Sequence, residues 1–220
     1  MKSIVIVAPH PDDEVLGCGG TILKHIDNGD EVHWIIVSGM DTKSFSKEQI
    51  KKRSDEITKV SKLFGFKSTY KLDYPTSKLD QIPKNEIINK FGNLFESLRA
   101  EVIYTVFRND AHSDHKVVFD SVVSATKSFR CPSVKKLLSF ETISETDFSN
   151  PMKDPFRPNL FINIEDYIEK KIEIMKVYES EMGEFPFPRS REAIIALSSI
   201  RGVQSRCKAA EAFILIKEIS

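Results

Sequence analysis

The chain opens on a continuous apolar, β-branched run, Ser3 to Ala8. Such a run predicts a strand buried on both faces, as in a parallel sheet. Gly19 to Asn28 then reads as a helix that Gly29 ends. Glu31 to Ser38 predicts a second strand around Val-His-Trp-Ile-Ile-Val. Lys47 to Phe64 predicts an amphipathic helix stopped by Gly65, with Ile50, Ile57, Val60, Leu63 and Phe64 as its apolar stripe. The alternation continues with strands at Ser68 to Leu72, Glu101 to Phe107 and Val134 to Phe140. Helices are expected between them, at Lys84 to Arg99 and Lys116 to Ser128. This order implies parallel β units joined by right-handed crossovers. The expected class is α/β, a three-layer Rossmann-like fold with a mostly parallel central sheet.

The pattern changes after Phe140. Thr142 to Pro158 is polar, contains Pro151, Pro155 and Pro158, and reads as a long loop. A short strand at Asn159 to Ile164, helices at Ile168 to Tyr178 and Arg191 to Ser199, and a closing strand at Ala212 to Ile216 complete the reading. There is no internal repeat or low-complexity tract. With 220 residues, 40% hydrophobic and 29% charged, one globular domain spanning 1–220 is expected. Its 141–220 portion would complete the site.

Charge narrows the partners. Lys+Arg and Asp+Glu both number 32, giving a formal net charge of +0. Nucleic-acid binders normally carry a basic excess, so none is expected as a partner. Cys18, Cys131 and Cys207 are odd in number and contain no Cys-x-x-Cys pair. That argues against a disulfide framework or zinc ribbon and fits a reducing cytosol. Each cysteine reads as a small apolar residue. No signal peptide is apparent, and no apolar run approaches the ~20 residues that span a bilayer. The expectation is a soluble cytoplasmic protein with no membrane partner; a homo-oligomer is compatible with these numbers.

The chemistry concentrates at two strand ends. Pro9-His10-Pro11-Asp12-Asp13-Glu14 follows the first strand, and Ala111-His112-Ser113-Asp114-His115 follows the strand ending at Phe107. In open α/β sheets, sites form beyond the carboxyl ends of strands, so distant segments can converge there. A divalent cation stabilises carboxylates that would otherwise repel one another. His10 and Asp13 are spaced to chelate one ion if the chain turns helically. His115 or His112 could supply a third ligand, leaving a position for water.

These motifs, with Gly17-Cys18-Gly19-Gly20 and Asp110-Ala-His112-Ser-Asp114-His115, closely resemble the PIG-L/LmbE-like de-N-acetylase family. Arg53-Ser-Asp-Glu56 is similar to that family's Arg-x-x-Glu, and Ala210-Glu211-Ala212-Phe213 to its C-terminal Ala-Glu-x-Phe. Ser38-Gly39-Met40-Asp41 departs from it, standing where many relatives carry a threonine-rich turn.

The resemblance implies hydrolysis of an acetyl group from an amino sugar or sugar conjugate, with zinc. It makes His10, Asp13 and His115 the metal ligands and Asp12 the general base. His112 would stabilise the tetrahedral intermediate or protonate the leaving amine, Asp114 would orient His112, and Arg53 would bind substrate. Two histidines and one aspartate also accept Fe2+, Co2+ or Mn2+. An anionic or nucleotide-linked sugar stays open.

Chemistry agrees with these roles. An amide needs its carbonyl polarised, a base for the attacking water, a donor for the developing oxyanion and a proton for the amine. The glycines do not have dinucleotide-binding spacing and read as allowing close helix–sheet packing. Arg189, Arg191 and Arg201 read as a solvated basic face, His25 and His33 carry no assigned role, and Tyr178 is placed near the site. Glu14 reads as a helix-start residue without chemistry. The alternatives are a catalytically silent metal-containing binding module of the same fold, or a hydrolase of another bond such as a phosphoester.

Overall fold

The structure is a computed structural model that describes residues 1–150 and 152–220. Its strands are β1 (Ser3–Ala8), β2 (Glu31–Gly39), β3 (Ser68–Pro75), β4 (Val102–Val106), β5 (Lys136–Phe140), β6 (Leu160–Asn163) and β7 (Ala210–Glu218). They form one 7-stranded sheet in the order β3-β2-β1-β4-β5-β7-β6. Strands β1 to β5 pair in parallel, and β7 lies antiparallel to both β5 and β6. The helices are α1 (Asp13–Asp27), α2 (Lys47–Phe64), α3 (Lys84–Ser97), α4 (Ser113–Ala125), α5 (Ile168–Met175) and α6 (Arg191–Ser205).

The expected three-layer α/β class is what forms. The chain winds from β1 to β2 to β3, then returns to lay β4 along the other side of β1. Right-handed crossovers therefore put α1 and α2 on one face of the sheet and α3 and α4 on the other. The contacts agree: α3 packs on α4, while α1 meets α2 and α5. This reversal beside β1 is a topological switch point, where open α/β sheets leave a crevice. The register Val7↔Thr105 brings the ends of β1 and β4 level, so both histidine-bearing segments emerge side by side.

Most elements lie within a few residues of their expected bounds. Helix α1 differs, because it begins at Asp13 and not at Gly19. Cys18 breaks it with φ −145° and ψ 23°, and the expected helix is its second half. The break has a cause far along the chain. In an unbroken helix the Gly20 amide would bond to the Leu16 carbonyl. Instead the Gly20 and Thr21 amides donate to the Glu211 carboxylate at 2.9 and 2.7 Å. Lys171 Nζ donates to the Leu16 carbonyl at 2.8 Å and to Glu211 at 2.7 Å. A buried ion pair thus stands in for the missing rungs of the helix.

The glycines of α1 do permit close packing. A Cβ on Gly17 would meet the Phe140 ring at 2.0 Å, and one on Gly20 would meet Ile164 at 2.7 Å. In α2, Ile57, Val60 and Phe64 are buried, but Leu63 is exposed and Ile50 is outside the core. The apolar stripe is therefore narrower than its periodicity predicts. The capping box of Ser46 and Gln49 starts α2, and Gly65 ends it in the left-handed conformation. Helix α4 begins at Ser113, before the expected Lys116, which places Asp114 and His115 in its first turn.

Between 142 and 158 no described residue lies in a helix or strand, as expected; Pro151 lies outside the described residues. The cysteines are free, with Cys18 and Cys131 buried. Among the described residues, no helix is long and apolar enough to cross a membrane.

Candidate metal centre

The first site segment leaves β1 through a strained turn. Asp12 has φ 139° and ψ −32°, a region L-residues rarely occupy. Several contacts hold it there. Its amide donates to Glu14 Oε2 at 3.0 Å, and its carbonyl accepts from the Val15 and Leu16 amides. Glu14 is fully buried, and its other oxygen accepts from the Tyr178 hydroxyl at 2.9 Å. The Pro11 carbonyl accepts from Arg53 at 3.2 Å. The helix-start reading of Glu14 is thus incomplete: it also braces Asp12. Burial, then the neighbouring Asp13 and Glu181, push Asp12 up to about 8. Burial likewise raises Glu14 to about 8.

The second segment is relaxed. His112 is the N-cap of α4 at φ −73°, and its Nδ1 accepts from the Asp114 amide at 3.1 Å. An accepting Nδ1 leaves the hydrogen of a neutral ring on Nε2. His112 is lowered to about 4, by burial first and then by His10 and His115. Its backbone amide donates to Glu145 at 3.0 Å.

The two segments converge on Asp13. His10 Nδ1 and His115 Nε2 each lie 3.4 Å from its carboxylate. The opposite ring nitrogens are held by other carboxylates: His10 Nε2 by Asp114 at 3.1 Å, and His115 Nδ1 by Asp110 at 2.7 Å. Metal-binding histidines are characteristically backed by a carboxylate in this way. His10, Asp13 and His115 offer ligand atoms all within 4.8 Å of one another. His115 Nε2 is buried with no hydrogen-bond partner among the described residues, though buried polar atoms are normally satisfied. An unpartnered imidazole nitrogen facing a carboxylate and a second imidazole fits a divalent ion. The field favours positive charge. Burial opposes protonation of both histidines, yet contacts with Asp114 and Asp13 raise His10 to about 9, and Asp13 and Asp110 raise His115 to about 10. Asp13 itself is pulled well below the usual carboxylate range despite burial, by His115 and His10.

The resemblance made Asp114 the residue that orients His112, and its backbone amide does hold His112 Nδ1 at 3.1 Å, while its carboxylate stands 4.0 Å from that nitrogen. It braces His10 and accepts from the Ser77 and Leu79 amides at 2.8 and 3.2 Å. Only its backbone amide touches His112.

A cavity of about 470 Å³ opens onto His10, Asp12, Asp13 and His112. Arg53 lines it, but its guanidinium is engaged with the Pro11 carbonyl, Glu56 and Glu181. Arg189 also lines it and is tied to Glu181 and Ser144. Arg191 and Arg201 pair with Glu169 and Glu141, so the expected basic face is neutralised. Tyr178 is buried, and its hydroxyl goes to Glu14. His25 bonds Asp30 and Tyr104, and His33 bonds Ser68, so neither enters the site.

Residues 5–126 match the family model described as PIG-L, GlcNAc-PI de-N-acetylase. The chain belongs to the PIG-L family. The matched segment contains both histidine motifs and Arg53, and ends before Arg189 and Glu211. An uncharacterized deacetylase of Escherichia coli, YaiS, is 25% identical over 81% of this chain and 91% of its own. The diacetylchitobiose deacetylase of Thermococcus kodakarensis is 24% identical over 84% of this chain and 72% of its own. The conserved protein TT1542 from Thermus thermophilus superposes with a TM-score of 0.80 at 23% identity, covering 100% of this chain and 97% of that one. GalB, a 4-carboxy-2-hydroxymuconate hydratase from Pseudomonas putida, superposes with a TM-score of 0.76 at 18% identity, covering 100% and 98%. The fold is thus shared by proteins of different chemistry, and PIG-L membership is what points to deacetylation.

Sequence reasoning assigned no role to Asp110, Glu14 or Glu145. Asp110 stood inside the quoted motif, five positions before His115. Glu14 had a signal in being the last of three consecutive acids. Glu145 comes from the loop after β5 and Glu181 from a single 3-10 turn after α5, and neither had one.

Proposed function

We propose that this PIG-L protein is a metal-dependent N-deacetylase acting on an amino sugar or sugar conjugate. The observation carrying the metal dependence is the pair of carboxylate-backed histidines facing Asp13, with the buried His115 Nε2 unpartnered. His10, Asp13 and His115 would hold one divalent ion, zinc being the reading that two histidines and a carboxylate support first. When bound, such an ion polarises the amide carbonyl and makes water a competent nucleophile near neutral pH.

The chain's own residues supply the rest. Asp12 lines the cavity, and no donor among the described residues reaches its carboxylate; a bound ion's charge would favour its ionised form against its burial and leave it able to take a proton from the attacking water. His112 lines the cavity with its Nε2–H 3.4 Å from Ser77 Oγ, and by leaving that long contact it can donate to the oxygen on which negative charge develops. Asp12, having taken the proton, can return it to the departing nitrogen. Asp110 and Asp114 fix the rings of His115 and His10. Arg53 supports the Pro11–Asp12 turn, and substrate contact would have to compete with Glu181 for it.

Arg53 and Arg189 both meet Glu181, which supports a neutral sugar over a nucleotide diphosphate. The diacetylchitobiose substrate in the relative's name supports the amino-sugar class. Free cysteines support a cytoplasmic location. A silent binding module would leave the strained, braced Asp12 without a purpose. The test is metal content and acetate release measured together over N-acetylated sugars, sugar conjugates and nucleotide sugars. Release of acetate by the metal-loaded protein alone is expected. Phosphate release from a phosphoester in place of acetate would overturn the reading.

A further inference from the structure

The proposed chemistry uses only part of the cavity. His10, Asp12 and Asp13 follow β1, and His112 follows β4, yet the lining continues across β2 to Lys71 and Asp73 on β3. With strands about 4.8 Å apart, β3 lies roughly 10 Å from β1. An acetamido group at the metal centre leaves that flank empty.

Part of the flank is apolar. Ile36 in β2, Met40 and Phe45 in the following loop, and Ile50 on α2 line it. Ile36 belongs to the core, but Met40, Phe45 and Ile50 are half-buried and are not among the side chains packed against the core. Contiguous apolar side chains left in a pocket mark a binding surface more often than scattered ones do. Of the polar groups nearby, Arg53 and Arg189 meet Glu181, and Lys71 Nζ donates to Ser54 at 3.2 Å, while Asp73 and Thr76 mark the polar edge of the flank. What the stretch from Met40 to Ile50 offers a ligand is hydrophobic contact.

We propose that Met40, Phe45 and Ile50 form a subsite for an apolar substituent of the substrate. This rests on the deacetylase reading of the adjoining site. The substituent is a group of several carbons carried by the amino sugar, either in its N-acyl group or on its anomeric oxygen. The subsite sets specificity, and the hydrolytic step is unchanged.

The first test is binding, which does not require turnover. Calorimetry compares hexyl and methyl β-D-glucosides, neither of which carries an amide, on the metal-loaded protein and on the Met40→Ser/Phe45→Ser double variant. Covering two or more methylenes corresponds to roughly tenfold in affinity. The hexyl glucoside should therefore bind at least about tenfold tighter than the methyl, and the double variant should lose most of that preference while retaining its metal. Equal binding of the two glucosides overturns the proposal, as does a preference that survives in the double variant.

Kinetics then distinguishes the sources. One arm compares N-hexanoyl- with N-acetylglucosamine, and the other compares hexyl with methyl N-acetylglucosaminide. A gain in kcat/KM in either arm supports the proposal and locates the substituent. Release of acetate with no gain in either arm overturns it. A hexyl preference in binding with no hydrolysis of any amide would sink the deacetylase reading and leave the subsite standing.

Discussion

The two strand-to-helix junctions that build the site solve the same problem in opposite ways. After β4 the chain turns without strain: His112 caps α4 at φ −73°, and Asp114 and His115 follow in its first turn. After β1 the chain reaches α1 through Asp12 at φ 139°, with no side-chain cap. The relaxed junction delivers two imidazoles, His112 held by the Asp114 backbone amide and His115 backed by the Asp110 carboxylate. The strained one delivers His10, Asp13 and the bare Asp12 carboxylate, and fixes the last through its backbone, with Glu14, Tyr178 and Arg53 as braces. A group that must stay free of side-chain partners can be positioned through its main chain, and strain of this kind persists only where its surroundings over-determine it.

The largest effect that would break this comparison is removal of the proposed base. Asp12→Asn keeps the size and the backbone contacts, so metal content should be unchanged. kcat should fall by about 10²–10⁴-fold, the usual contribution of a positioned acid or base. His115→Ala should instead lose the metal. Acetate release and metal analysis on the same samples check both. An Asp12→Asn protein with full activity would remove the assigned role.

The braces should separate next. Asp110→Asn weakens the group behind His115, and metal affinity should fall by about 10–100-fold, with kcat recovering at saturating metal. A metal titration read by activity measures it. Tyr178→Phe acts on the other junction. It strips a hydrogen bond from buried Glu14, which should cost about 1–3 kcal/mol of stability in denaturant unfolding. It should also lower kcat by roughly tenfold, because Asp12 is less well held, while metal affinity stays unchanged. Reversal of these signatures between the two variants would show that the junctions are not specialised.

The asymmetry between the junctions was only partly legible in the sequence. The alternation of apolar runs and helical stripes predicted the sheet, because buried parallel strands must be apolar on both faces. That the segments carrying His10, Asp13 and His115 come together was legible from their places after two strands, while only the family resemblance chose His115 over His112 as the third ligand. What stayed hidden depended on partners far away in sequence. The break at Cys18 needs Lys171 and Glu211, more than a hundred residues later, to complete the bonds it opens. The start of α1 at Asp13 was masked for the same reason. Ile50 keeps helical spacing with the core residues of α2, and periodicity cannot tell a side chain facing the core from one facing a cavity. Asp114 stands next but one to His112, yet its carboxylate reaches across to His10, because His112 caps the helix while Asp114 lies within its first turn.

The smallest effect offers the sharpest contrast, because its sign should differ between the junctions. Asp12→Gly removes the base and gives the strained position a residue that tolerates φ 139°. Relief of about 1–3 kcal/mol of strain outweighs the ~1 kcal/mol that glycine gains in unfolded-chain freedom. Loss of a buried carboxyl beside Asp13 and Glu181 acts in the same direction. Asp12→Gly should therefore be inactive and more stable by about 1 kcal/mol. His112→Ala removes a functional residue from the relaxed junction, where there is no strain to release and a helix cap to lose. It should be less stable by about 1 kcal/mol. Both are measured by denaturant unfolding with metal chelated, so that ligand binding does not contribute to the difference. If both substitutions destabilise, the φ of Asp12 carries no stored strain, and its carboxylate is held no differently from the imidazoles opposite it.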